Sequence, residues 1–173
     1  MLKLIIWPDK ILEVPSVPID INTDDNIKYI VDNMFEVMYH YKGVGLSAVQ
    51  VGLPLRIFVM DCSNQPNNLK ENIEPKPLVL INPYIVDTFD EPVLTDEGCL
   101  SFPGIIEKQL RHPEIIIEAV NLKGELITYQ MAGLESQCAQ HEMEHLDGVS
   151  FDREWGRTKR DIIKRKINKA LNR

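Results

Sequence analysis

Gln140-His141-Glu142-Met143-Glu144-His145 is the stretch on which the reading of the whole chain turns. Histidines four apart on a helix lie on one face, one turn above the other. Their imidazoles can close on a single metal ion, with Glu142 beside the first of them. The His-Glu-x-x-His pattern builds a hydrolytic site from two nitrogen ligands and a carboxylate general base. The competing reading is a solvated helix that happens to carry two histidines and several acids. The flanks weigh against it. Leu134, Cys138, His141 and His145 share a helical face, which turns the histidines inward among apolar neighbours. A buried histidine pair with no partner is expensive. Gly148 is placed to end this helix, which the pattern runs from about 132 to 147, in a left-handed cap.

Two imidazoles leave a catalytic site short of a ligand, because such sites usually take three protein ligands and keep one position open. The longer motif with a third downstream histidine fails, since Phe151 stands at that place and no glutamate follows Glu154. Cys138 is on the right face but seven residues from His145, too far along the axis for one compact tetrahedron. It reads better as a small buried hydrophobe. Cys62 opens a polar loop with no recognisable context. Cys99 sits in Thr95-Asp96-Glu97-Gly98-Cys99-Leu100-Ser101-Phe102-Pro103-Gly104, whose turn residues suggest a constrained, non-repetitive segment. It is the best candidate, giving one thiolate and two imidazoles.

Around this site the chain reads as a succession of short elements. An arm to about residue 22 is punctuated by Pro8, Pro15 and Pro18. Asn22 to Asp25 offer N-cap candidates for an amphipathic core helix through Ile27, Ile30, Val31, Met34, Val37, Met38 and Tyr41. Gly43 to Gly52 follows, with Gly43 and Gly45 lacking the spacing and preceding strand of a dinucleotide fingerprint. The glycines instead let backbone approach a ligand closely. Strands are expected at Leu55–Asp61, at Leu78–Pro83 ending on the proline, and at Tyr84–Phe89, with a mobile polar loop over 62–76. Ile115–Val120 and Leu126–Tyr129 flank Asn121-Leu122-Lys123-Gly124 as a hairpin. The last helix has Ile162, Ile163, Ile167, Ala170 and Leu171 as its apolar face.

With 173 residues, 44% of them hydrophobic and 26% charged, the composition is that of a soluble globular protein. Residues 1–173 are read as a single domain. No apolar run approaches a membrane span, and the first apolar stretch, cut by Pro8 and Asp9, is too short for an export signal. Three cysteines and no such signal argue against a disulfide framework. The expected compartment is the cytoplasm, with an organelle or a phage-infected host left open. The chain carries −7 overall, yet residues 158–173 carry seven basic residues against Asp161. That tail of +6 leaves −13 on the rest, which points to a local anionic partner for the tail and to no binding of DNA.

At Gly43-Val44-Gly45-Leu46-Ser47-Ala48-Val49-Gln50, Glu97-Gly98-Cys99-Leu100-Ser101 and Gln140-His141-Glu142-Met143-Glu144-His145-Leu146, the chain closely resembles the peptide deformylases. The resemblance covers nearly its whole length, including Leu80-Ile81-Asn82-Pro83. It implies removal of formate from the N-terminal formylmethionine of new polypeptides by metal-activated water, with Cys99, His141 and His145 as ligands and Glu142 as general base and acid. Gln50 and the Leu100 N–H are then the oxyanion donors. Val44, Gly45, Gly98, Leu134 and Cys138 are the substrate contacts, with His141 beside them. Glu97 and Arg111 form an ion pair behind the cysteine loop. The implied metal is Fe²⁺ in the cell, with Zn²⁺, Ni²⁺ or Co²⁺ in purified samples. The C-terminal helix would dock on the ribosome. Ser47 departs from the motif's usual alanine, Glu144 from aspartate, and Ile106 and Gln137 from an arginine and an apolar residue.

The fold expected is α+β: antiparallel strands around the metal-binding helix, an N-terminal amphipathic helix and a basic C-terminal one. A metallopeptidase is disfavoured by the missing downstream ligand. A non-catalytic, ribosome-associated metal protein is disfavoured by having only three ligands in evidence and by the presence of Glu142 and Gln50.

Overall fold

The computed structural model describes residues 2–21, 26–63 and 74–171. Its regular elements are α1 (Ile27–His40), β1 (Gly45–Ser47), β2 (Ile57–Met60), β3 (Leu78–Phe89), β4 (Val93–Gly98), β5 (Ile106–Arg111), β6 (Glu114–Val120), β7 (Leu126–Ala132), α2 (Leu134–Leu146) and α3 (Arg157–Leu171). The architecture is α+β. One antiparallel sheet runs in the order β1-β2-β3-β6-β7, and β4 and β5 form a separate two-stranded ribbon.

β2 shows why the sheet needs a helix on each face. All four of its residues are buried, as expected of a strand covered on both sides. Ile57 and Val59 join Val31, Met34, Val37 and Met38 of α1 in one core. Phe58 and Met60, pointing the other way, join Cys138, Ala139, Met143 and Leu146 of α2 in a second. β6 adds to the second core by strict alternation, with Ile115, Ile117 and Ala119 turned inward. Each such aliphatic side chain contributes about 1.5–3 kcal/mol on burial. α2 is thus pinned to the sheet by its apolar side, which fixes the direction of its histidines.

A third core joins the N-terminal arm, the turn after β4 and the chain's end. Trp7 stacks on Phe102 at 5.7 Å between ring centroids, and Trp155 meets Phe102 edge-on at 5.7 Å. Ile163 and Ile167 of α3 close it. Ile162 and Leu171, expected on the same face, are 44% and 56% exposed. The apolar stripe of α3 is therefore narrower than its sequence suggests. Tyr41 is likewise exposed, because α1 stops one residue before it.

Two strand expectations need correction. Pro83 does not end a strand: β3 runs through it, absorbing the proline in a register shift between Ile81 and Tyr84. Asn82 takes a φ of 49° there, and its side chain bonds both the N–H and the carbonyl of Ile19, so the bulge also ties down the arm. The segment around Cys99 is half regular, since Thr95 to Gly98 belong to β4, and β5 was not anticipated. The expected N-cap at 22–25 lies outside the described residues, as does most of the polar loop read over 62–76.

Candidate metal centre and cavity

α2 ends as its sequence requires. Gly148 has a φ of 73° and the Val149 N–H reaches back to the Glu144 carbonyl at 2.8 Å, a left-handed close that satisfies the last turn. One turn inside that end, His145 meets Cys99, which stands just past β4, with 3.1 Å between Nε2 and Sγ. The donor atoms of Cys99, His141 and His145 all lie within 4.8 Å of one another, and all three residues are buried. A tetrahedral ion held at ~2.0–2.3 Å spaces such donors by roughly 3.5 Å, so the trio fits one divalent ion.

The two imidazoles sit in unlike surroundings. Burial opposes charge on His141, but hydrogen bonding to Cys99 and Glu97 outweighs it and lifts the imidazole well above the usual range. His145 is held well below its usual range by burial, then by the charges of His141 and Arg111. Its Nδ1 has no hydrogen-bond partner among the described residues.

His141 is oriented through its far nitrogen. Nδ1 lies 2.9 Å from Glu97 Oε2, and Arg111 reaches the same carboxylate through Nε at 2.7 Å and Nη2 at 3.0 Å. Burial would raise the Glu97 carboxyl, yet His141 and Arg111 bring it down to about 2. Arg111 continues to Glu144 at 2.8 Å, and Glu144 to Arg153 at 2.9 Å. The sequence had not linked Glu144 or Arg153 to the site. The other side of the His141 ring rests edge-on against Phe151, 5.1 Å away, so the residue that broke the longer motif packs on a histidine of the shorter one instead. Arg111 is 6% exposed, and its replacement by alanine strands Glu97 in the interior. Arg111→Ala is expected to lower the unfolding free energy by about 3–5 kcal/mol, the usual scale for breaking a buried pair. Denaturant unfolding measures this, and a loss below 1 kcal/mol would show that the carboxylate finds other partners.

Glu142 faces a cavity of about 830 Å³. Its Oε2 is buried with no partner among the described residues. Burial, eased by His141 and Ser47, pushes its carboxyl up to about 7. A group poised there can both take and return a proton near neutral pH. Val44, Gly45, Gln50, Glu97, Gly98, Cys99, Leu100, Leu134, Cys138 and His141 line the same cavity, whereas His145 and Arg111 do not. A Cβ on Gly45 would come within 2.6 Å of both Glu142 Oε1 and Cys138 Sγ. Only a glycine lets strand β1 run this close to the helix. Gln137 and the exposed Ile106 also reach the cavity, with Gln137 donating to the Asp96 carbonyl at 3.4 Å. Ser101, unremarked within its motif, accepts a hydrogen bond from Gln50 Nε2 at 3.1 Å.

Comparison with known proteins places these features in company. A family model described as polypeptide deformylase matches residues 1–160. A peptide deformylase of Rhizobium meliloti is 38% identical over 167 residues, covering 96% of this chain and 92% of that protein. The chloroplastic/mitochondrial peptide deformylase 1B of Arabidopsis thaliana is 42% identical over 150 residues, 87% of this chain and 52% of that one. The crystal structure of peptide deformylase from Ehrlichia chaffeensis superposes with a TM-score of 0.86 at 34% identity, covering 99% of this chain and 97% of the other.

Proposed function

The chain belongs to the peptide deformylase family and is a metal-dependent enzyme acting on formylated nascent peptides; on that premise we propose which of its residues carry the reaction. Cys99, His141 and His145 hold the metal. A thiolate with two imidazoles suits ferrous iron and zinc by softness, and we assign Fe²⁺ in the cell, with Zn²⁺, Ni²⁺ or Co²⁺ able to replace it on purification. When bound, the ion supplies a Lewis acid that acidifies water and polarises the formyl carbonyl.

The remaining work falls to the chain. Glu142 takes the proton of the attacking water and returns one to the amine nitrogen as formate leaves. Gln50 Nε2 and the Leu100 backbone N–H donate to the oxyanion that develops, each such donor being worth ~3 kcal/mol of barrier. Val44, Leu134 and Cys138 receive the methionine side chain. The backbone at Gly45 and Gly98 pairs with the peptide as an added strand. Glu97 and Arg111 hold the His141 ring in place from behind. Residues 1–173 act as one catalytic unit, and we place it in the cytoplasm, with the bacterial relatives as support. No helix among the described residues is long and apolar enough to cross a membrane.

The observation that carries this reading is the convergence of Cys99, His141 and His145 next to a cavity into which Glu142 faces with a buried Oε2 that has no partner among the described residues. The test is formate release from formyl-Met-Ala-Ser under anaerobic conditions with Fe²⁺. Folded, metal-loaded protein that released none would overturn it.

We further propose that α3 docks on ribosomal RNA. Two of its basic residues are already engaged, Lys159 with Glu107 at 2.8 Å and Arg160 with Asp152 at 2.7 Å. Lys164, Arg165, Lys166 and Lys169 remain exposed. Deleting the helix would uncover the third core through Ile163 and Ile167, so charge reversal is the cleaner test. Reversing those four charges is expected to abolish co-sedimentation with ribosomes at low salt without changing activity on a tripeptide. Undiminished sedimentation would refute the proposal.

A further inference from the structure

We infer that Ser47 is a positioning residue for deformylation: its backbone N–H fixes which end of the Gln50 carboxamide faces the cavity, and its hydroxyl fixes the plane of that amide. The inference rests on the oxyanion role proposed above for Gln50. A carboxamide has two ends of similar size and opposite chemistry. With the nitrogen turned to the substrate it donates to developing negative charge. Turned over, it presents lone pairs to that charge and opposes the reaction. The torsion that chooses between them is a soft one, so something must hold it.

Ser47 does so at one end and Ser101 at the other. The Ser47 backbone N–H lies 2.9 Å from Gln50 Oε1, and since an N–H can only donate, the atom facing it must be the oxygen. The Ser47 hydroxyl donates to the same Oε1 at 3.0 Å. At the far end Nε2 donates to Ser101 Oγ at 3.1 Å and lies 3.5 Å from Cys99 Sγ. Ser47 and Ser101 are fully buried and Gln50 nearly so, so bulk water cannot replace a lost contact. Two donors on one oxygen fix the plane of the amide as well as its polarity. Nε2 is thereby aimed at the ligand side of the cavity before substrate arrives. Alanine at position 47 would keep the backbone donor and lose the second one, leaving the plane free to swing.

A double-mutant cycle tests this. Wild type, Ser47→Ala, Gln50→Ala and the double variant are loaded with metal, and kcat and KM are measured on formyl-Met-Ala-Ser. Ser47→Ala is expected to lower kcat about 3- to 10-fold with KM little changed, the scale of one lost hydrogen bond. In the Gln50→Ala background the same substitution should change kcat less than about 1.5-fold. An equal fall in both backgrounds would mean that Ser47 acts through the local fold or through Glu142, whose carboxyl it also meets, and would overturn the inference, as would no fall in either. A Gln50→Ala enzyme with unimpaired kcat would instead remove the role of Gln50 itself, a separate and recognisable failure.

Discussion

Glu142→Ala should bind its metal normally and lose about 10²–10⁴-fold in formate release, the range a positioned general base supplies. The expectation follows from one oxygen of this carboxylate being left uncommitted. Its Oε2 has no donor among the described residues, and burial has pushed its carboxyl up to about 7. Glu97, the other buried carboxylate on the cavity wall, is engaged by His141 and Arg111 and held down at about 2. It has neither the basicity nor the freedom to take over. Asp96, at the rim, is 66% exposed and paired with Lys108. Glu142→Gln keeps the shape and removes the basic oxygen, so it should fall as far as alanine. Metal analysis and formate release on the same preparation decide the matter. Activity above about a tenth of wild type in either variant would mean that another group moves the proton.

The second large effect belongs to Cys99. Cys99→Ala is expected to weaken metal binding by well over the 10–100-fold that loss of a supporting contact brings, and activity should disappear with the metal. Cys138→Ala is the matched control, expected to retain the metal. Both cysteines are buried, but of the two it is Cys99 that stands 3.1 Å from Nε2 of His145. Cys138 Sγ points to the Val44 carbonyl at 3.6 Å, and the neighbouring Cys62 with burial raises its thiol well above the usual range. Competition with a chromogenic chelator measures both affinities. Equal loss in the two variants would contradict the assignment of Cys99.

These effects trace how legible the site was. α2 could be read almost to its last residue, because helical spacing, Gly148 and the two histidines are all local signals. Cys99 could be singled out only by elimination and by its motif, since nothing in its own neighbourhood says what lies opposite. The ribbon hid for a physical reason: β5 alternates Ile106, Lys108 and Leu110 outward with Glu107, Gln109 and Arg111 inward. Its two apolar residues face solvent while Glu107 and Arg111 face the protein, the reverse of the usual pattern. Pro83 misled in the opposite sense, because a bulge at Asn82 spares the chain the hydrogen bond that proline cannot make. The links from Arg111 to Glu144 and on to Arg153 span 33 and 9 residues and leave no periodic trace. In α3 the amphipathic pattern overstated burial, since Ile163 and Ile167 are the residues of that face that join the third core while Ile162 and Leu171 stay exposed.

The placement of β1 and β4 has a consequence in time. β1 is the outermost strand of its sheet and β4 is half of a two-stranded ribbon, and both border the cavity, at Gly45 and at Gly98. Unpaired strand edges accept only a partner whose own N–H and carbonyl groups are uncommitted. A polypeptide meets that condition while its beginning is still unfolded, and ceases to meet it once that segment is stitched into structure. At roughly 5–20 residues per second of synthesis, a domain of ~100 residues is complete in about 5–20 s. On the strand addition proposed above, the enzyme would work against a clock set by the folding of its own substrates, and proteins that bury their first residues early are those it would leave uncleared.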